Sequence, residues 1–286
     1  MQVAMRKNVI RRRAVVPKSS ADQDAEPRDG GVQSVDRALS ILETLAEDDQ
    51  GYRLSDLAVR TGLSTSTVHR LLATLESRRF VQFNRADSKW HVGARAFTVG
   101  ATFARRRNFS AQAVPYLRKL RDLTRETANL AVVDDEFIIV LTRMESREIM
   151  RSLTKVGGRV AMVASGVGKA VLATYSNEEV SAVIQHHGMP RLTEKSIVRP
   201  SDLFKELETI RRQGYAVDDE EACMGLRCIA AVVYNDCAEP LAAISVSGMT
   251  GRLTDDRLPQ LGQIVREVAA ELTLALGGVM PPVKAR

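Results

Sequence analysis

Gly166 and Gly168 flank Val167 at the head of an apolar run, in the stretch SGVGKA at residues 165–170. A glycine before Lys169 suggests the end of a phosphate-cradling loop, which requires GxxxxGK followed by Ser or Thr. Val163 stands where the first glycine belongs and Ala170 where the metal-binding hydroxyl belongs, so the nucleotide reading fails. What remains is a helix start whose unpaired N–H groups carry partial positive charge, a setting for a small anion. Lys169 lies one residue past the turn and is expected to reach solvent or a neighbouring acid. Ser245 and Ser247 of ISVSG are two apart on a strand pattern and place both hydroxyls on one sheet face. Spacing alone leaves a second reading open, in which the glycines permit tight packing and the serines pair with the sheet backbone.

Other chemistry finds little support. The four histidines are scattered: His69 and His91 in one half, His186 and His187 in a polar helix end of the other. No GxSxG, HExxH or CxxC occurs. Cys223, Cys228 and Cys237 are an odd count without paired metal-site spacing, and a Cys228 nucleophile has no histidine in the neighbouring strand patterns to act as its base. An enzyme using Cys228 is the weaker alternative, and neither a cofactor nor a metal is expected. With no hydrophobic leader the thiols read as reduced, which places the protein in a cytoplasm. No run of 18 apolar residues is available to span a membrane.

The elements that would carry chemistry begin near Ser34. SVDRALSILETLAE spaces Val35, Ala38, Leu39, Leu42 and Leu45 as one helix face, with Ser34 as N-cap. Ser55 caps a second helix that turns Leu57, Ala58 and Val59 inward and ends at Gly62. Ser64 caps a third, with Leu63 stapled on Val68 and an apolar stripe of Val68, Leu71, Leu72 and Leu75. Ser66, Thr67, His69, Arg70 and Thr74 are left on the open side. FVQFNRADSKWHV then alternates as two short strands about a turn. Residues 64–95 hold six bases and two acids. Helix, glycine turn, hydroxyl-rich helix and basic hairpin together predict a winged helix-turn-helix on DNA. Ser64, Thr65, Ser66 and Thr67 suit phosphate contacts together with His69, Arg70 suits a guanine edge, and Arg85 and Lys89 of the wing suit backbone contacts.

The chain has 286 residues and a formal charge of +6, enough length for two modest domains. The whole excess lies in residues 1–20, where Arg6, Lys7, Arg11, Arg12, Arg13 and Lys18 meet no acid. That leader reads as a disordered basic arm or a plain solvated one. The expected organisation is a leader over 1–32, a winged helix-turn-helix over 33–94, a linker helix over 95–110, an effector-binding and oligomerisation domain over 111–280, and a tail over 281–286. The larger domain alternates strand and helix patterns. They include two β-rich stretches from Asn129, further short strands in IMRSLTKVGGRVAMV, a helix from Gly168 to Tyr175 and a capping box of Ser176 and Glu179. SDLFKELETIRRQG turns Leu203, Leu207 and Ile210 inward, and a final amphipathic helix follows. The fold class expected is α+β: an antiparallel sheet flanked by helices, joined through a linker helix to the DNA-binding unit.

The recognition helix and wing, SGVGKAVLA, GYAVDDEEACMGLRCIAA, AAISVSG and RLTDDR, in this order, resemble the IclR family of bacterial transcriptional regulators over about Val32 to Gly278. DDEE and GLRCIAA are similar to the branch that includes the isocitrate-lyase (acetate operon) repressor. The resemblance implies a GAF-like effector domain, assembly as a homodimer or dimer of dimers (a homotetramer), and a small 2-oxo acid effector such as glyoxylate or pyruvate. Carried onto this chain, it implies a cavity formed by the amides of Gly166 and Val167 with Asp218, Cys228, Ser245 and Ser247. Val160, Met162 and Leu226 would be its walls. A carboxylate would be held there by amides and hydroxyls without a full counter-charge. The alternative within the family is a regulator responding to another carboxylate or a semialdehyde.

Overall fold

The computed structural model describes residues 32–106, 109–134, 137–147 and 155–281. Three helices, α1 (Gln33–Ala46), α2 (Leu54–Thr61) and α3 (Thr65–Ser77), pack around Ile41, Leu45, Leu57, Val68 and Leu72, all of them buried. Hairpin strands β1 (Val81–Asn84) and β2 (Lys89–Val92) close this core with Val81 and Trp90. Two expected caps are displaced. The α1 helix starts one residue before Ser34, after Val32, with no side-chain cap, and α2 follows Arg53, whose backbone N–H is met by the Asp56 carboxylate at 3.3 Å. Val59 points outward and is 82% exposed, because only one turn of this short helix faces α1 and α3. Gly62 does end α2 in the left-handed region, at φ 67°.

Helix α4 (Ala94–Arg106) leads to α5 (Phe109–Thr124), which lies on the sheet of the second domain. That sheet contains β3 (Thr127–Asp134), β4 (Phe137–Met144), β5 (Arg159–Ala161), β6 (Ala216–Asp219), β7 (Leu226–Tyr234) and β8 (Pro240–Met249). It is antiparallel throughout, in the order β5-β4-β3-β8-β7-β6. Of the short strands expected in IMRSLTKVGGRVAMV, β5 falls within the described residues, while 148–154 lie outside them.

The period of two along each strand divides the sheet into faces. Leu130, Val132, Ile229, Ala231, Ile244 and Val246 pack on one side with α5 and α9 (Leu258–Ala275). Ala131, Ala230, Val232 and Ala243 face the other side, under α6 (Gly166–Leu172), α7 (Asn177–His187) and α8 (Pro200–Gln213). The predicted interior positions Leu203, Leu207 and Ile210 are buried there, and Ser176 and Glu179 form their capping box on α7. Helix α6 begins at Gly166 and ends at Leu172, earlier at both ends than the pattern suggested, because Ser165 serves as its cap and accepts from Gly168 N at 3.0 Å. Among the described residues no helix is long and apolar enough to cross a membrane.

Candidate functional site

The second face of the sheet is apolar except at one end, where adjacent strands contribute polar side chains in register. Asp218 of β6 lies opposite Cys228 of β7, and Cys228 lies opposite Ser247 of β8. Two residues along, Ser245 of β8 lies opposite Asn129 of β3, and Asn129 opposite Arg143 of β4. Directly opposed residues share a face, so these rows converge. They line a cavity of about 100 Å³, the liquid volume of roughly three waters. Ala131, Ile138, Val140, Val160, Val167 and Leu226 supply its apolar walls.

The polar row is hydrogen-bonded, as burial demands. Arg143 Nε donates to Asn129 Oδ1 at 3.0 Å, and the Asn129 amide reaches Ser245 and Ser247 Oγ, each at 3.5 Å. Burial holds the Arg143 guanidinium below its ordinary pKa. The Asp218 carboxylate accepts the N–H groups of Glu221 at 2.8 Å and Ala222 at 3.3 Å. Burial, aided by the like charge of Glu221, nevertheless raises its pKa to about 6. Burial also pushes the Cys228 thiol up to about 11, with the Asp218 charge adding to it, so Cys228 is a neutral donor at the wall rather than a nucleophile.

Sequence reasoning placed Val167, Asp218, Cys228, Ser245, Ser247, Val160 and Leu226 at one site, and the structure brings all seven to this cavity. Gly166 stands behind the wall: a Cβ there would lie 3.0 Å from Cys228 O and 3.3 Å from its Sγ. Gly168 has a packing role, since a Cβ would sit 2.1 Å from Met162 O. Met162 does not line the cavity; it is consumed in that contact and is 1% exposed. Lys169 is fully buried against Glu221 and Glu206, not in solvent.

The expected lack of a counter-charge is also corrected, because Arg143 and Arg227 both line the cavity. Arg227 is engaged with Asp219 Oδ1 and Asp255 Oδ1, each at 2.5 Å, and with Leu253 O at 2.6 Å. Arg143 is the cation turned to the polar row. Neither it nor Asn129 stands in a sequence motif; only the β3–β4 and β3–β8 registers bring them to Ser245.

In the N-terminal unit Ser64 caps α3, accepting from Thr67 N at 3.3 Å, and its hydroxyl lies 3.1 Å from that of Ser66 and 2.8 Å from that of Thr67. Thr65, Ser66, His69 and Arg70 are exposed on this helix, as is Arg85 on the wing. Thr65, His69 and Arg85 line one open groove between α3 and the hairpin, while Arg70 lies on the neighbouring exposed face. Lys89 is partly tied back, donating to Gln50 O at 3.1 Å, and the Thr74 hydroxyl returns to Arg70 O at 3.0 Å.

Two family models match this architecture: the IclR helix-turn-helix domain over residues 34–85 and the C-terminal domain of the bacterial transcriptional regulator IclR over residues 101–274. The acetate operon repressor of Salmonella typhimurium is 42% identical over 254 residues, covering 88% of this chain and 93% of the relative. The transcriptional repressor IclR of Escherichia coli is 41% identical over 255 residues, with the same coverage of each. The crystal structure of the Thermotoga maritima IclR superposes with a TM-score of 0.69 at 25% identity, over 85% of this chain and 98% of that one. The chain belongs to the IclR family of bacterial transcriptional regulators, non-enzymatic proteins that pair a DNA-binding helix-turn-helix with an effector-binding domain.

Proposed function

We propose that a small 2-oxo acid, such as glyoxylate or pyruvate, occupies the cavity on the sheet face and controls operator binding. The observation that carries this reading is the joining of Arg143, Asn129, Ser245 and Ser247 by hydrogen bonds inside so small a volume. A guanidinium and hydrogen-bond donors suit a carboxylate. Asp218 and the Cys228 thiol stand across the row, where a 2-oxo oxygen or hydrated aldehyde would meet them. The amides of Gly166 and Val167 at the start of α6 add donors behind Val167. On the DNA side, Ser64 and Thr67 order the start of α3, Thr65, Ser66 and His69 meet phosphates, Arg70 reads a base edge, and Arg85 and Lys89 hold the backbone at the wing. The protein acts in the cytoplasm as a homodimer or dimer of dimers. The effector selects one relative placement of two recognition helices and so changes operator affinity.

Calorimetry with pyruvate and glyoxylate, beside glycolate, oxalate and succinate semialdehyde, tests the reading on the parent and on Arg143→Gln. The 2-oxo acids should bind the parent and lose about 10- to 100-fold in affinity with the variant, as expected for a hydrogen bond to a charged group. Absence of heat with the parent, or equal affinity in both proteins, would reject it.

A further inference from the structure

Lys169 plays no part in that reading, yet it is a fully buried lysine of the kind that globular interiors rarely contain. Its ammonium pairs with the Glu221 carboxylate and lies 3.4 Å from Glu206 Oε1. Glu221 is 5% exposed, and its second oxygen, Oε2, is buried without a hydrogen-bond partner. A buried ion pair can often be replaced by apolar packing at no loss of stability, so folding alone is a poor reason for this one.

Its position supplies another reason. Glu221 lies in the turn after β6, among Asp218, Ala222 and Cys223 of the cavity wall. The Glu221 N–H binds Asp218 Oδ1, and the Glu221 carbonyl accepts from Ser196 Oγ at 2.8 Å and Thr193 Oγ1 at 3.2 Å. Lys169 lies on α6, one turn beyond Ser165 and two residues beyond Val167 of the opposite wall. The pair therefore ties two walls of one cavity together from behind.

We propose that Lys169 is a positioning residue of the effector cavity, clamping the 218–223 segment to α6 through Glu221. The proposal rests on the cavity being an anion site. The ionisable groups around Asp218 are Glu221 and Lys169 behind it, Cys228 and Cys223 beside it, and Arg143 and Arg227 elsewhere in the cavity wall. Glu221 opposes the charge of Asp218 and Lys169 favours it. A carboxylate ligand prefers Asp218 neutral, so affinity should fall as pH rises through about 6, the folded-state value. Removing Lys169 moves that midpoint up, and removing the charge of Glu221 moves it down.

The experiment measures pyruvate binding by calorimetry from pH 5 to 8 and, without ligand, thermal stability over the same range. The proteins are the parent, Lys169→Met, Glu221→Gln and the double variant Lys169→Met/Glu221→Met. Lys169→Met should melt lower, bind about tenfold more weakly at pH 5 and show a higher midpoint, while Glu221→Gln shows a lower one. The double variant should regain the parent's melting temperature but remain about tenfold weaker. Recovery of affinity along with stability, or parent-like midpoints in both single variants, would overturn the proposal. If the methionine variants do not fold, the Glu221→Gln midpoint decides alone. If pyruvate does not bind the parent, the cavity reading fails by itself. The clamp is then judged from the pH dependence of stability for each protein against its Asp218→Asn derivative, where an unmoved midpoint overturns it.

Discussion

The DNA-reading unit takes its exposed hydroxyls and bases from residues 64–92, one helix and the hairpin after it, whereas the cavity draws walls from all six strands and α6, over residues 129–247. In the first region the apolar stripe of α3 is fixed by a local core of Val68 and Leu72, and everything opposite is available to DNA. In the second the cavity-lining groups lie on the packed face of a sheet, so each polar atom must be matched across strands. The first region is specified locally and the second by register. The two should therefore fail separately.

Gly168→Ala makes the largest break. Its Cβ would lie 2.1 Å from Met162 O and 2.4 Å from Met162 Cα, backbone atoms that cannot swing aside. We expect the effector domain to lose about 3 kcal/mol or more, beyond ordinary overpacking of side chains. The unit built on Ile41, Leu57 and Leu72 shares no buried residue with that core and should keep its own transition. Scanning calorimetry checks this; one cooperative shift of the whole chain would show that the two regions are not independent.

The same contrast explains what could be read before the fold was known. The stripe of α3, the Ser64 cap, Gly62 and the wing are short-range patterns, and each stands where its spacing predicts. Ser245 and Ser247 were legible for the same reason, being two apart on a strand. Asn129 and Arg143 lie about a hundred residues earlier, on β3 and β4, two strands that are mostly apolar. Nothing local distinguishes them from solvent-facing positions until β3 is paired with β4 and β8. Lys169 was left between solvent and a neighbouring acid for a related reason: the acid that settles it, Glu221, is 52 residues away. The caps of α1 and α2 were misplaced because a serine near a helix start is a weak signal when backbone and an acid at the third position can serve instead.

A smaller break acts on the DNA side alone. Arg70 is exposed on α3, and its removal takes away charge and reach without disturbing Val68 or Leu72. Arg70→Ala should cost about 1–3 kcal/mol in operator binding and relax preference at one base pair. Effector binding should be unchanged. Gel-shift titrations against operator and random DNA measure both; unaltered discrimination would move the reading residue elsewhere on α3.

The smallest effect sharpens the division within the DNA-binding unit itself. Arg85 is exposed in the wing turn and lines the groove that Thr65 and His69 of α3 share, so it would approach the duplex beside the helix rather than within the major groove. A side chain there meets phosphates, which carry no sequence information. Each phosphate contact releases condensed counterions, so binding that loses one contact becomes less sensitive to salt. Arg85→Ala should weaken operator and random DNA by the same factor, leaving their ratio fixed, and reduce the slope of log affinity against log salt by about one. Lys89 holds Gln50 O and has less freedom to reach DNA, so Lys89→Ala should change that slope less. Affinities at several salt concentrations decide the matter. If Arg85→Ala alters the operator-to-random ratio and leaves the slope alone, the wing reads bases, and the sequence information in this unit extends beyond α3.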